Sequence, residues 1–195
     1  LCACFLYALS VRLLHAGGGL GSAQTRSRLA MMATMVWATH PIQLTNVLYV
    51  VQRINSLAAL AMLAGLFVFV VGRERYRESR AGAWPLMLGG LAGGTLIGLG
   101  CKENAILVPG LALLAEATLF RWRSSVPNAG RSLILLYCLS AGLPYLGAAL
   151  VAVFWFDLWS TTYTHLDFTL GERLLTQTRV VWWYLGQVAL PDASQ

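Results

Sequence analysis

The stretch Ile54–Gly72, INSLAALAMLAGLFVFVVG, carries no charged side chain. An α-helix needs about 20 predominantly apolar residues to cross a bilayer. Comparable apolar segments occur at about 1–14, 29–39, 84–100, 104–120 and 132–156, with a last one beginning near 180. Only 11% of the chain is charged and 57% is hydrophobic, with a mean hydropathy of +0.64. Soluble domains carry about 25% charged residues, so this chain lacks the polar surface to coat a water-soluble globule. Backbone groups in lipid must find partners within their own segment, which makes helices the default. The alternating pattern of outer-membrane barrel strands is absent. The expectation is an all-α, multi-spanning transmembrane helix bundle of about six to seven spans.

The segment at 29–39 is too short to cross alone. It either ends there or continues through HPIQLTNVLYVVQR (His40–Arg53) as a helix kinked at Pro41. Both versions leave Arg53 on the same side. The chain opens at Leu1 inside one apolar run and stops at Gln195 just past another, which gives the expectation of residues 1–195 as a partial domain of a longer protein.

Net charge is +6 and the pI about 9.5. The arginines form no stripe interleaved with aromatics, so nucleic acid is not an expected partner. They occupy loops, and they alternate. Arg12, Arg26, Arg28, Arg73, Arg75, Arg77, Arg80, Arg121, Arg123 and Arg131 fall in one set of loops; Arg53, Lys102, Arg173 and Arg179 fall in the other. That asymmetry predicts the first set to be cytoplasmic, as solvated anchors, and the second extracytoplasmic. The four cysteines (Cys2, Cys4, Cys101, Cys138) have no metal or disulfide spacing, and three lie in apolar runs, where a small buried hydrophobe is the expected role. No zinc-type ligand set occurs, so no metal is expected.

Most of the chemically varied polar groups fall on the arginine-poor side, and ionisable residues at a membrane edge point to a site. If His40–Arg53 is read as one helix from Pro41, then Gln43, Asn46 and Arg53 share a face, giving an interfacial amphipathic helix. Its alternative is a plain connector with Arg53 snorkelling to headgroups. GCKENA is either a polar hairpin cap or a mouth where Lys102, Glu103 and Asn104 meet an anionic lipid phosphate. DLWSTTYTHLDFTLGERLLTQTR contains His165 and Asp167 and leads into a juxtamembrane helix whose Trp182, Trp183 and Tyr184 match an interfacial aromatic belt. Gly90, Gly94 and Gly98, four apart, form a small-residue face for close helix packing. Glu116 is expected to snorkel or to pair with Arg121 or Arg123.

HPIQLTNVLYVVQRINSLAAL, KENAILVPGLALLAE and GERLLTQTRVVWWYLG, in that order over about Leu29–Leu190, resemble bacterial relatives of the transmembrane and tetratricopeptide-repeat-containing O-mannosyltransferases, within the GT-C class of glycosyltransferases. The resemblance implies a GT-C-like bundle with juxtamembrane helices on the extracytoplasmic side of a bacterial inner membrane. It implies a polyprenyl-phosphate-linked sugar as donor, an extracytoplasmic acceptor protein or glycan, and no cofactor. It carries His40, Pro41, Gln43, Gln52 and Arg53 onto the family's His-Pro motif and following helix. Lys102, Glu103 and Asn104 fall on its Lys-Glu-Asn turn, and Glu172, Arg173, Gln177 and Arg179 on its later loop. Thr45 stands where relatives often have an acidic residue, and the family's catalytic carboxylate loop would precede Leu1, so no catalytic base is expected within these residues.

The chemistry implied is displacement at the anomeric carbon with a lipid phosphate leaving, and the developing charge needs cations. Arg53 and Lys102 are the first candidates, with Arg173 or Arg179 third. His40, Gln43, Asn46, Gln52, Glu103, Asn104, Glu172 and Gln177 are candidate supporting groups, His40 either touching the donor or fixing the bend at Pro41. The rival expectations are a lipid or solute transporter, which should show broken helices near mid-membrane, and a non-catalytic anchor for a repeat domain.

Overall fold

The computed structural model describes residues 1–18, 21–154 and 169–189, and every regular element among them is helical. His165 and Asp167 lie outside the described residues. α1 (Cys2–Gly17) and α2 (Ala23–Thr39) form a hairpin, with Tyr7 Oη and Ser27 Oγ 2.8 Å apart. α3 is a short helix, Leu44–Leu48, between two 3-10 turns, Pro41–Gln43 and Val50–Gln52. α4 (Arg53–Arg77) and α5 (Ala83–Leu99) follow. A 3-10 turn, Glu103–Leu107, enters α6 (Val108–Ala115), which runs on through a π-helical turn, Glu116–Phe120. α7 (Ala129–Tyr137) passes through a second π-helical turn, Cys138–Gly142, into α8 (Leu143–Phe154). α9 spans Leu170–Ala189.

Among the described residues, three helical stretches are long and apolar enough to cross a membrane: Val50–Arg77 with 28 residues, Glu103–Phe120 with 18 and Ala129–Phe154 with 26. α1 and α5 are apolar but shorter. The apolar runs expected at about 54–72, 104–120 and 132–156 fall in these three stretches, and those at about 1–14 and 84–100 in the two shorter helices. α2 falls short because its first turns, AQTRSR, are polar; α9 starts well before residue 180 and so takes in Glu172, Arg173, Gln177 and Arg179.

Much of the apolar side-chain surface faces outward. Leu96, Ile97, Val153 and Phe154 are each at least 67% exposed, while Arg73 and Glu116 are 0% exposed. Exposed apolar surface on this scale is unusual for a soluble monomer and suits an apolar surrounding. The cysteines follow suit: all four are free, Cys4 and Cys138 are exposed and none is fully buried, against the expected core role. Cys4 and Cys138 face outward, where the surroundings rather than the core supply the apolar environment.

The interior is held by close backbone contact. A Cβ built on Gly65 of α4 would sit 2.4 Å from Gly94 Cα and 2.6 Å from Gly90 O of α5. The Gly90–Gly94 stripe therefore faces α4, while Gly98 faces Ala105. Around this seam Phe69, Val70, Met87, Leu91, Val108 and Leu133 form the buried core. α8 is pinned to α6 by Tyr145, whose hydroxyl donates to Ile106 O at 2.9 Å and accepts from Gly110 N–H at 3.1 Å, so it takes the place of a helical hydrogen bond.

Turns from the two sets meet opposite ends of α4. At one, Arg12 meets Glu74 at 2.5 Å, and the 121–125 turn meets the end of α4 through Ser125 N–H donating to Arg77 O at 3.0 Å. At the other, Cys2 Sγ lies 3.4 Å from Ser56 O and Lys102 reaches Asn55.

His40–Arg53 is not one helix, whether kinked or straight. α2 stops at Thr39, His40 is extended, and its Nδ1 accepts from Ile42 N–H at 3.2 Å to open a new turn. Proline disfavours a helical residue before it, so the chain breaks instead of bending. It breaks again at Tyr49 (φ −89°, ψ 120°), in a run of Tyr and Val that favours extended backbone. Arg53 consequently starts α4 and does not share a helical face with Gln43 and Asn46.

Candidate functional site

At the arginine-poor end, Lys102 follows α5 in extended backbone (φ −157°, ψ 145°), which frees its side chain to cross to α4. Its Nζ donates to Asn55 Oδ1 at 2.7 Å. Asn55 Nδ2 in turn donates to Gln52 Oε1. Gln52, Asn55 and Lys102 thus form one relay through the first turn of α4, the helix that Arg53 heads. Alongside it, Asn46 Nδ2 donates to Gln43 Oε1 at 3.2 Å. A cleft of about 270 Å³ opens here, lined by Gln43, Asn46, Asn55, Ser56, Trp37 and Cys2 among others.

This arrangement supplies cations and amides but no base. Asn55 takes one of the three Lys102 donors, leaving two for an incoming anion. The exposed Arg53 guanidinium has no hydrogen bond or ion pair among the described residues. Among the described residues, no carboxylate lines the cleft. Glu103 and Asn104 are exposed in the turn after Lys102 and do not join the relay. The set can bind a phosphate and hydrogen-bond hydroxyls; it cannot by itself remove a proton at neutral pH.

Asn55 escaped the sequence reading because it lies one residue inside an apolar run. A usable signal was present: three residues after Gln52 and two after Arg53, it falls on the exposed first turn where polar side chains have room.

α9 contributes differently from expectation. His40 Nε2 lies 3.2 Å from Val188 O, joining the break at Pro41 to the C-terminal part of α9. At 1.5 Å per residue, Arg179 and Arg173 stand ~13 and ~22 Å along the helix from that contact. Gln177 and Arg179 are exposed, as are Trp182, Trp183 and Tyr184, at 74%, 49% and 51%. Glu172 closes a capping box: its Oε2 accepts from Thr169 N–H at 2.7 Å and Thr169 Oγ1 at 2.9 Å, while Glu172 N–H donates to Thr169 Oγ1 at 3.3 Å. The Thr169 backbone hydrogen bond, then its hydroxyl, hold the Glu172 carboxyl below its ordinary range.

A carboxyl depressed on folding stabilises above its unfolded value, and that stabilisation is lost as pH falls through the folded one. Hydrogen exchange at the Thr169 and Glu172 amides should therefore stay slow at neutral pH and quicken only below the ordinary carboxylate range. Glu172→Gln should flatten that dependence; an unchanged profile would remove the capping role.

A second polar cluster lies at the opposite end and corrects two expectations. Glu116 pairs not with Arg121 or Arg123 but with Arg73, Nε–Oε2 at 2.6 Å and Nη2–Oε1 at 2.7 Å. Arg73 is accordingly a buried partner, not a solvated anchor. The π-helical turn at Glu116 points its carboxylate inward, where Trp122 N–H (3.0 Å) and Tyr137 Oη (3.3 Å) also donate to it. With four donors the carboxylate has no capacity left, and the cluster reads as a structural clamp. Among the described residues, no group of three or more His, Cys, Asp or Glu side chains could hold a metal ion. No family model, curated protein or solved structure matches this chain.

Proposed function

We propose that this chain belongs to a membrane glycosyltransferase that moves a sugar from a polyprenyl-phosphate donor to an extracytoplasmic acceptor, a protein hydroxyl in the first instance. The three ordered motifs that resemble the O-mannosyltransferase relatives support this reading, as does the arginine bias that puts the arginine-poor turns outside, in a bacterial inner membrane. The observation that carries it is the 2.7 Å contact between Lys102 and Asn55, which brings that lysine to the first turn of the helix headed by Arg53. Two cations at one membrane edge are what a departing lipid phosphate needs. The amides of Gln43, Asn46 and Asn55 are suited to sugar hydroxyls. The acceptor's proton would go to a carboxylate supplied from outside the described residues. A transporter fits less well, because the Arg12–Glu74 and Arg73–Glu116 ion pairs and the Lys102 relay lie at the two ends of α4 and not at its middle.

The test is transfer by the full-length protein in liposomes supplied with labelled polyprenyl-phosphate sugars. Arg53→Ala and Lys102→Ala should each lower turnover roughly 10²-fold, the scale of losing one transition-state charge stabiliser. Expression and helix content should be unchanged. Near-normal transfer by both variants would take the two cations out of the site; no transfer from any such donor would end the reading.

A further inference from the structure

A cleft of about 490 Å³ lies between α1 and α4 at the arginine-rich end, away from the relay described above. That volume is within the roughly 300–1,000 Å³ of small-molecule sites. Its wall changes character with depth. Tyr7, Val11 and Phe67 line the inner part, and Arg12, His15 and Arg77 the outer part. From Phe67 to Arg77 is ~15 Å along α4, and from Tyr7 to His15 is ~12 Å along α1. Both walls therefore grade from apolar to charged in the same direction. Arg77 closes the 28-residue stretch Val50–Arg77, so the charged rim falls at the membrane edge.

The charges of the rim are unevenly spent. Glu74 is taken by Arg12 at 2.5 Å, with the Arg12 guanidinium 5.2 Å from the centre of the Phe67 ring. Glu78 is taken by Arg80 at 2.8 Å. The half-buried Arg77 guanidinium has no hydrogen bond or ion pair among the described residues. An unmatched guanidinium at the mouth of an apolar slot calls for an amphiphile with an anionic head, and phosphate matches the guanidinium fork best.

We infer that this cleft binds a glycerophospholipid, its phosphate on Arg77 and one acyl chain lying between Tyr7, Val11 and Phe67. The inference rests on the membrane-crossing helices and not on sugar transfer, so a failed transfer assay leaves it standing.

The full chain in detergent micelles doped with phosphatidylglycerol, or with diacylglycerol of the same chains, can be read by native mass spectrometry. Phosphatidylglycerol should be retained one to one and diacylglycerol should not. Arg77→Ala should weaken retention roughly tenfold, while Arg75→Ala, an exposed arginine that does not line the cleft, should leave it unchanged. Ala8→Phe fills the slot without touching a charge and should also abolish the adduct. Equal retention of the two lipids, equal losses at Arg75 and Arg77, or an adduct surviving Ala8→Phe would each overturn the assignment.

Discussion

Glu116→Ala is expected to cost about 3–5 kcal/mol, the range for removing one partner of a buried ion pair. Both side chains of the Arg73–Glu116 pair are 0% exposed. Without the carboxylate, Arg73 keeps among the described residues only its hydrogen bond to Arg123 O at 3.1 Å and its contacts with the Tyr76 and Phe120 rings, at 5.8 and 5.0 Å. None of these carries a full opposite charge. The loss spreads further, because Arg121 and Trp122 both have left-handed backbones (φ 52° and 58°) that non-glycine residues avoid. Glu116→Ala keeps the backbone bond from Arg121 N–H to its carbonyl (2.6 Å) but removes the carboxylate that Trp122 N–H donates to. Arg73→Met with Glu116→Leu should recover most of the ion-pair cost, since apolar replacements leave no orphan charge, but not the turn. The measurement is unfolding in mixed micelles followed by circular dichroism. A single variant within ~1 kcal/mol of wild type, or a double variant no better than the single, would show that the pair is not the clamp its geometry describes.

That pair also marks where the sequence stops being readable. The apolar run 54–72 locates α4 well, because a span is a local property of composition. The helix nevertheless continues to Arg77, five residues further. RERYR looks like a solvated loop until Arg73 finds Glu116, 43 residues away, and no periodicity announces a partner at that distance. Gly90 and Gly94 were legible as a packing face, but their counterpart Gly65 was not, since one glycine in an apolar run has no pattern. At the candidate site, Arg53 and Lys102 stood out as cations in otherwise arginine-poor turns. Asn55, which joins them to one end, was masked by its apolar neighbours. The failure over 40–53 was of another kind. A shared helical face needs an unbroken helix, and the chain breaks before Pro41 and again at Tyr49, so shared spacing gives no shared face.

Gly65→Leu should loosen the α4–α5 seam by at least the upper part of the about 1–3 kcal/mol typical of overpacking. The atoms in the way are backbone: Gly94 Cα at 2.4 Å and Gly94 N at 2.9 Å from the added Cβ, with Gly90 O at 2.6 Å. A flexible side chain can turn aside, but a helix backbone moves only as a whole. In lipid this matters more than in water, because helix association there depends on close packing instead of on expelling apolar surface from water. The facing helix, α5, supplies the control. Gly89 and Gly93 have nothing within 4 Å of a built Cβ, so Gly89→Ala and Gly93→Ala should be neutral or stabilise by up to ~1 kcal/mol through helix propensity. One helix thus contains two glycine rows with effects of opposite sign, separable by unfolding the four single variants Gly90→Ala, Gly94→Ala, Gly89→Ala and Gly93→Ala side by side. Equal destabilisation in both rows would mean that α5 contributes only backbone flexibility, and that the close approach to α4 does not set the bundle's stability.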